Sequence, residues 1–199
     1  MRLIAITAER IFEGEAAALN RLLERGLTTL HLRKPLAAEA DIRQLLEQID
    51  RRYHSRIVLH DGFSLAGAFC VGGVHLSRRN PVRPQPASGS LSRSCHSLDE
   101  VAQSGDFCYV FLSPIFDSIS KKGYAQAFTE KELMAAKAKG VINEKVVALG
   151  GVSAATIPRA AAYGFGGVAV LGALWGSYPQ SKDESALMRR FDAIAKVAK

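Results

Sequence analysis

The sequence predicts an α/β fold, a single compact (β/α)8 TIM barrel, from three observations. Eight short apolar runs alternate with segments of helical spacing. Most of those runs are continuously apolar, as strands buried on both faces require. The 199 residues of the chain fit one domain with a full core. Strand–helix alternation implies parallel pairing through right-handed crossovers, and eight such units close into a barrel. An open doubly wound sheet is the rival arrangement.

The strand candidates are residues 2–6, 28–32, 56–60, 73–76, 90–94, 107–112, 145–149 and 167–171. Helical candidates lie between them at 13–25, 37–51, 64–69, 97–102, 130–139, 154–162 and 182–198. Ser97 ahead of Glu100 suits a capping box, and Thr129 ahead of Glu130 and Glu132 suits an acidic first turn. Gly26 and Gly164 fall where helices should stop. The crossover after the fourth strand is irregular. Residues 77–89, SRRNPVRPQPASG, hold three prolines and no helical period, so a loop or single turn is expected. The whole chain, 1–199, reads as one barrel domain.

Composition narrows the function. No apolar run approaches the ~20 residues of a membrane span, so no membrane partner is expected. Three cysteines without metal-ligand spacing, Cys70, Cys95 and Cys108, suggest free thiols and a cytoplasmic location. The net charge of +7 is mostly dispersed over helical segments. The local concentrations, Arg78, Arg79, Arg83 and Arg93, then Lys121 and Lys122, are not interleaved with aromatics. A nucleic-acid partner is therefore not expected.

Chemistry concentrates at the strand ends. VVALGGVSAAT runs from a strand through Gly150 and Gly151 to a helix start with Ser153 as cap, and GGVAVLGAL runs through Leu171 to Gly172. Glycines let backbone N–H groups approach an anion, and the loops after the last two strands of such barrels recurrently bind phosphate. FLSPIFDSISKKGY places Ser118, Ser120 and Lys121 after the sixth strand, suited to a diphosphate, with Gly123 as a hinge. The loop 117–127 is expected to be a lid that closes when an anion reaches Lys121. LHLRKP carries His31, Arg33 and Lys34; VLHDGF carries His60 and Asp61. Arg33 offers a bidentate fork for phosphate oxygens. Asp61 suits either Mg²⁺ beside a diphosphate or a helix cap. His75 reads as a core or pocket residue, His96 as a helix start and His54 as surface. These spacings give no Ser-His-Asp or zinc arrangement.

Taken in order, these segments resemble the thiamine phosphate synthase/TenI family. GGVHLSRRN is similar to its G-V-H-L-G-Q-x-D strand end, SRSCHSLDE to G-x-S-x-H-S, YVFLSPIFDSISKK to Y-x-x-x-G-P-x-F-x-T-x-T-K, and VVALGGVS to V-x-I-G-G-I. The resemblance implies a transferase that joins a pyrimidine-methyl diphosphate to a thiazole phosphate. It implies a thiazole phosphate on Gly151, Leu171 and Gly172. Ser94, Ser118, Ser120 and Lys121 fall on the diphosphate side, with Arg33, Ser94 and Lys121 as catalytic groups and Arg33 gripping the diphosphate. Asp61 would hold Mg²⁺, with Asn80 as a weak second ligand. His31 stands where the family's pyrimidine-binding glutamine falls, Pro35 replaces its second basic residue beside Lys34, and His60 precedes Asp61 in place of an asparagine. The thiazole half thus follows the family, while the pyrimidine-diphosphate half departs from it at four positions. Two alternatives stand beside the synthase. One is a TenI-like thiazole phosphate tautomerase; that group's strand-six histidine is Pro114 here, so His31 or His60 would have to serve. The other is a non-catalytic ligand-binding barrel. Whether copies of the chain assemble is left open.

Overall fold

Eight parallel strands pair in sequence order and close on themselves in the computed structural model. The strands are β1 (Arg2–Ile6), β2 (Thr29–Leu32), β3 (Ile57–Leu59), β4 (Gly73–Leu76), β5 (Ser90–Cys95), β6 (Tyr109–Leu112), β7 (Val146–Ala148) and β8 (Gly167–Val170). Closure is made by β1 against β8, with Leu3 opposite Val168. A closed parallel barrel replaces the doubly wound alternative. The structure describes residues 1–85, 89–117 and 126–199. The proposed lid residues Ser118, Ser120, Lys121, Lys122 and Gly123 lie outside them.

Continuous apolar runs arise because both faces of each strand are buried. The outward residues Leu30, Leu32, Ile57, Leu59, Val110 and Leu112 belong to the large core shared with the helices. The inward set is smaller: Ile4, Ile6, Tyr109, Phe111, Val147 and Ala169 pack on one another inside the barrel. That interior is two-sided. The half contributed by β6, β7, β8 and β1 is mainly apolar. The half contributed by β2 to β5 holds His31, His75 and Ser92, all fully buried.

The helices follow their sequence signals. They are α1 (Glu15–Glu24), α2 (Glu39–Gln48), α3 (Leu65–Ala68), α4 (Leu98–Ala102), α5 (Glu130–Ala138), α6 (Ile157–Ala162), α7 (Gly172–Trp175), α8 (Tyr178–Ser181) and α9 (Glu184–Val197). In α1, Leu19, Leu22 and Leu23 face the core at helical spacing. Gly26 ends that helix at φ +105°, a conformation that costs glycine little. Thr129 and Glu132 form a reciprocal capping box on α5. Among the described residues of the crossover after β4 there is no helix.

Two local expectations are corrected. Ser153 does not cap a helix starting at residue 154; α6 begins at Ile157, because Pro158 fits only a first turn, where its missing N–H is not needed. His54 is buried, not at the surface. A 3₁₀ turn, Arg51–Arg56, carries it inward, and its Nε2 lies 3.2 Å from the Leu46 carbonyl and 3.0 Å from that of Ile49, at the end of α2.

Candidate active site

The C-terminal ends of the strands surround a cavity of about 490 Å³. Ile6, Phe111, Leu149 and Ala169 give it an apolar floor. One wall is backbone: Gly150 and Gly151 after β7, with Leu171 and Gly172 after β8. Gly150 and Gly151 have φ of +93° and +63°. A Cβ on Gly151 would collide with the Asp117 carbonyl and lie 2.7 Å from the Phe116 side chain. Only glycine lets these two loops close on each other. Gly172 opens α7, whose first N–H groups have no partner within the helix.

The facing wall is basic. Arg33, Arg78 and Arg79 line it with Ser77, Ser94 and His96. Arg33 holds Glu9 at 3.0 Å. Arg79 reaches Asp61 Oδ1 at 2.5 Å. Asn80 donates through Nδ2 to the same oxygen at 3.0 Å and to the His60 carbonyl at 2.7 Å. Asp61 Oδ2 accepts from the Lys34 backbone N–H at 2.9 Å.

Beneath the basic wall lies a histidine cluster. His60 lines the cavity, and its Nε2 is 2.8 Å from His31 Nδ1. His31 Nε2 meets the Tyr109 hydroxyl at 2.6 Å. His75 contacts Ser92 Oγ through Nδ1 at 2.8 Å and Ser94 Oγ through Nε2 at 2.9 Å. Burial, reinforced by the neighbouring imidazoles and arginines, holds His31 and His60 well below the usual histidine range. Burial and Arg33 bring His75 down to about 3. Burial pushes the Tyr109 phenol up to about 12. All three imidazoles are therefore neutral near pH 7.

Of the residues singled out in the sequence, Arg33, His60, Ser94, Gly151, Leu171 and Gly172 meet around this one cavity. Asp61 and Asn80 sit behind Arg79. His31 is sealed under His60 and has no exposed surface. Lys34 does not face a substrate: its ammonium is fully buried between Glu15 Oε1 and Oε2, at 2.6 and 2.7 Å, and the Ala8 carbonyl at 2.7 Å. It follows Arg33 directly in β2's trailing loop, and successive side chains there point to opposite sides. His96 lies before the α4 cap Ser97, not in the helix, and so reaches the cavity. The sequence does not single out Arg79 or Tyr109 as site residues. The Tyr109–Phe111 alternation was the available signal for the second; nothing local marked Arg79 over Arg78.

A parallel β/α barrel with a glycine wall and an arginine wall at its strand C-termini defines a class: barrels that hold small anionic ligands at that rim. The thiamine monophosphate synthase family profile matches residues 3–174. A thiamine phosphate pyrophosphorylase from Bacteroides thetaiotaomicron superposes with a TM-score of 0.90 at 37% identity, covering 100% of this chain and 98% of that one. A thiamine-phosphate synthase of Yersinia pestis (strain Pestoides F) is 30% identical over 78% of this chain and 77% of its own. A putative thiamine-phosphate synthase of Geobacter sulfurreducens is 29% identical over 79% of this chain and 78% of its own. The chain belongs to the thiamine monophosphate synthase family.

Proposed function

We propose that this barrel, acting as one domain over residues 1–199, is a divergent thiamine-phosphate synthase, a transferase that joins a pyrimidine-methyl diphosphate to a thiazole phosphate. The observation that carries this reading is the opposition of two anion walls across one apolar floor. The glycine wall, with donors fixed in the backbone, suits a phosphate monoester. The arginine wall suits the more highly charged diphosphate, since guanidinium forks match its oxygens. A planar ring on each phosphate would then lie against Ile6, Phe111 and Leu149.

In the reaction the methylene C–O bond breaks and its electron pair leaves with the diphosphate. Arg33, Arg78 and Arg79 spread that charge. The thiazole nitrogen lone pair closes on the methylene carbon, giving thiamine phosphate and diphosphate. Ser94 offers a further hydroxyl to the leaving group. Ser118, Ser120 and Lys121 are assigned to the same side on the resemblance. The three cysteines are unpaired thiols, in keeping with a cytoplasmic setting.

A bound Mg²⁺ was expected at Asp61, with Asn80 as a weak partner. The donor set does not fit it. Both Asp61 oxygens accept hydrogen bonds, and the Arg79 guanidinium stands where a cation would. Asn80 turns its NH₂, not its carbonyl, toward the carboxylate. Mg²⁺ needs several oxygen ligands in near-octahedral order, and both Asp61 oxygens are already engaged by Lys34, Arg79 and Asn80.

Two measurements test this reading. Purified protein given both substrates should form thiamine phosphate and keep most of its rate in EDTA. Absence of product with or without Mg²⁺ overturns the synthase assignment. Loss of rate in EDTA, restored by Mg²⁺, overturns the argument from Asp61. In calorimetry, Gly172→Asp should weaken thiazole phosphate binding about tenfold or more, the scale of ~1.4 kcal/mol. Equal affinity would move the phosphate off the glycine wall. Gly151 is the poorer test, because any Cβ there also displaces the Phe116–Asp117 backbone.

A further inference from the structure

The three arginines of the basic wall are not held alike. Arg78 is mostly exposed, with Glu100 3.9 Å away. Arg33 pairs with Glu9, a carboxylate that itself lines the cavity. Arg79 is tied to Asp61, whose side chain is only 12% exposed. Asp61 is fixed at both oxygens. Its Oδ2 accepts from the Lys34 backbone N–H, and its Oδ1 accepts from both Arg79 and Asn80.

The turn that carries Arg79 is closed twice. The Ser77 N–H donates to the Asn80 carbonyl at 3.1 Å, and the Asn80 N–H donates to Ser77 Oγ at 3.3 Å. The Asn80 side-chain amide also donates to the His60 carbonyl, which ties the turn to the end of β3. Arg79 therefore sits in a pinned turn on a fixed carboxylate. Asp61 engages its Nη2, and the side chain remains 42% exposed on the cavity wall. A guanidinium has five N–H donors, so most of the fork is left for an anion.

The charge balance fits a cation exchanged for another. The strand-end motif that GGVHLSRRN resembles, G-V-H-L-G-Q-x-D, has a carboxylate where Asn80 stands. Two carboxylates balance the two positive charges of Mg²⁺. Here one carboxylate, Asp61, balances the single charge of Arg79, and the net charge is the same. A second carboxylate 3.0 Å from Asp61 would repel it unless a cation lay between them. The Asn80 amide donates instead and needs no such cation. A guanidinium asks for no octahedral set of oxygens and stays charged at any working pH.

We propose that Arg79 is a further catalytic residue, a cation built into the chain that stands beside the leaving diphosphate where a divalent metal would, with Asp61 and Asn80 as its positioning residues. This rests on the synthase reading for the identity of the leaving group. As the methylene C–O bond breaks, its electron pair stays on the oxygen, and the diphosphate gains one negative charge. Arg79 meets that charge with N–H donors already in place. It transfers no proton and gathers no further ligand. Arg33 grips the same group from the β2 side. The thiazole nitrogen then bonds to the methylene carbon and takes up the positive charge, and the diphosphate departs from the arginines.

The test uses two readouts, single-turnover coupling and calorimetry with inorganic diphosphate, each in EDTA and in Mg²⁺. Wild type should need no Mg²⁺ in either. Arg79→Ala should slow coupling about a hundredfold, the scale of one lost charge-stabilising donor, and should weaken inorganic diphosphate about tenfold or more in EDTA. Arg79→Lys should recover only part of the loss, since an ammonium lacks the fork. The double variant Arg79→Ala with Asn80→Asp should be slow in EDTA and rise about tenfold or more in Mg²⁺, because it pairs two carboxylates with no arginine between them. Adding Asp61→Asn should abolish that rise. A wild type that binds diphosphate or turns over only with Mg²⁺ overturns the proposal. So does Arg79→Ala at wild-type rate and affinity, or a double variant with a wild-type urea midpoint that Mg²⁺ leaves unchanged. If wild type forms no product, calorimetry decides. Weaker diphosphate binding by Arg79→Ala in EDTA upholds Arg79 and sinks only the synthase reading, whereas equal affinity overturns the proposal.

Discussion

Glu15→Ala is expected to destabilise the fold by ~3–5 kcal/mol, the cost of leaving one partner of a buried ion pair unpaired. Glu15 starts α1, and Lys34 follows β2. Neither side chain has exposed surface, and the ammonium also donates to the Ala8 and Arg10 carbonyls. Burial raises Glu15 and lowers Lys34, in each case against the pull of its partner. Desolvation therefore outweighs attraction at both ends, and the pair is not a net source of stability. Lys34→Met alone should be similarly costly. The double variant Glu15→Leu with Lys34→Met should recover most of the loss, since an apolar pair carries no desolvation penalty. Urea unfolding of the three variants checks this. A double variant no more stable than either single variant would show that attraction within the pair outweighs its desolvation.

The histidine cluster gives the second large effect, a loss of stability in mild acid. His31, His60 and His75 titrate near 6.5 when unfolded and well below it when folded. Below pH 6.5 the unfolded chain binds three protons that the folded chain refuses. Stability therefore falls as pH falls, by about 1.4 kcal/mol per pH unit for each group, or about 4 for the three. Glu15, whose carboxyl is raised in the fold, works the other way, but it is one group against three. A typical domain has only about 5–15 kcal/mol to lose. The urea midpoint should drop steadily from pH 6.5 to pH 5, before ordinary carboxylates begin to titrate. Replacing His75 by Gln should remove about a third of that slope. A midpoint constant between pH 7 and pH 5 would show that these imidazoles are charged in the fold.

By itself the sequence determined the local order of this protein: eight strands, the irregular crossover after β4, and the glycines at the ends of β7 and β8. These are readable because they depend on period and turn chemistry within a few residues. It also placed Arg33, His60 and Ser94 correctly at strand ends. It did not reveal that Lys34, next to Arg33, turns away to Glu15, or that Asp61 is taken by Arg79. It could not show that His31 meets Tyr109, 78 residues later. Where both faces of a strand are buried, an apolar run does not say which residues point into the barrel. Only closure, with the register it imposes across strands, turned His31, His75, Ser92 and Tyr109 inward together. The contacts that decide charge and proton position are made between strands, and the spacing of residues along one strand carries no record of them.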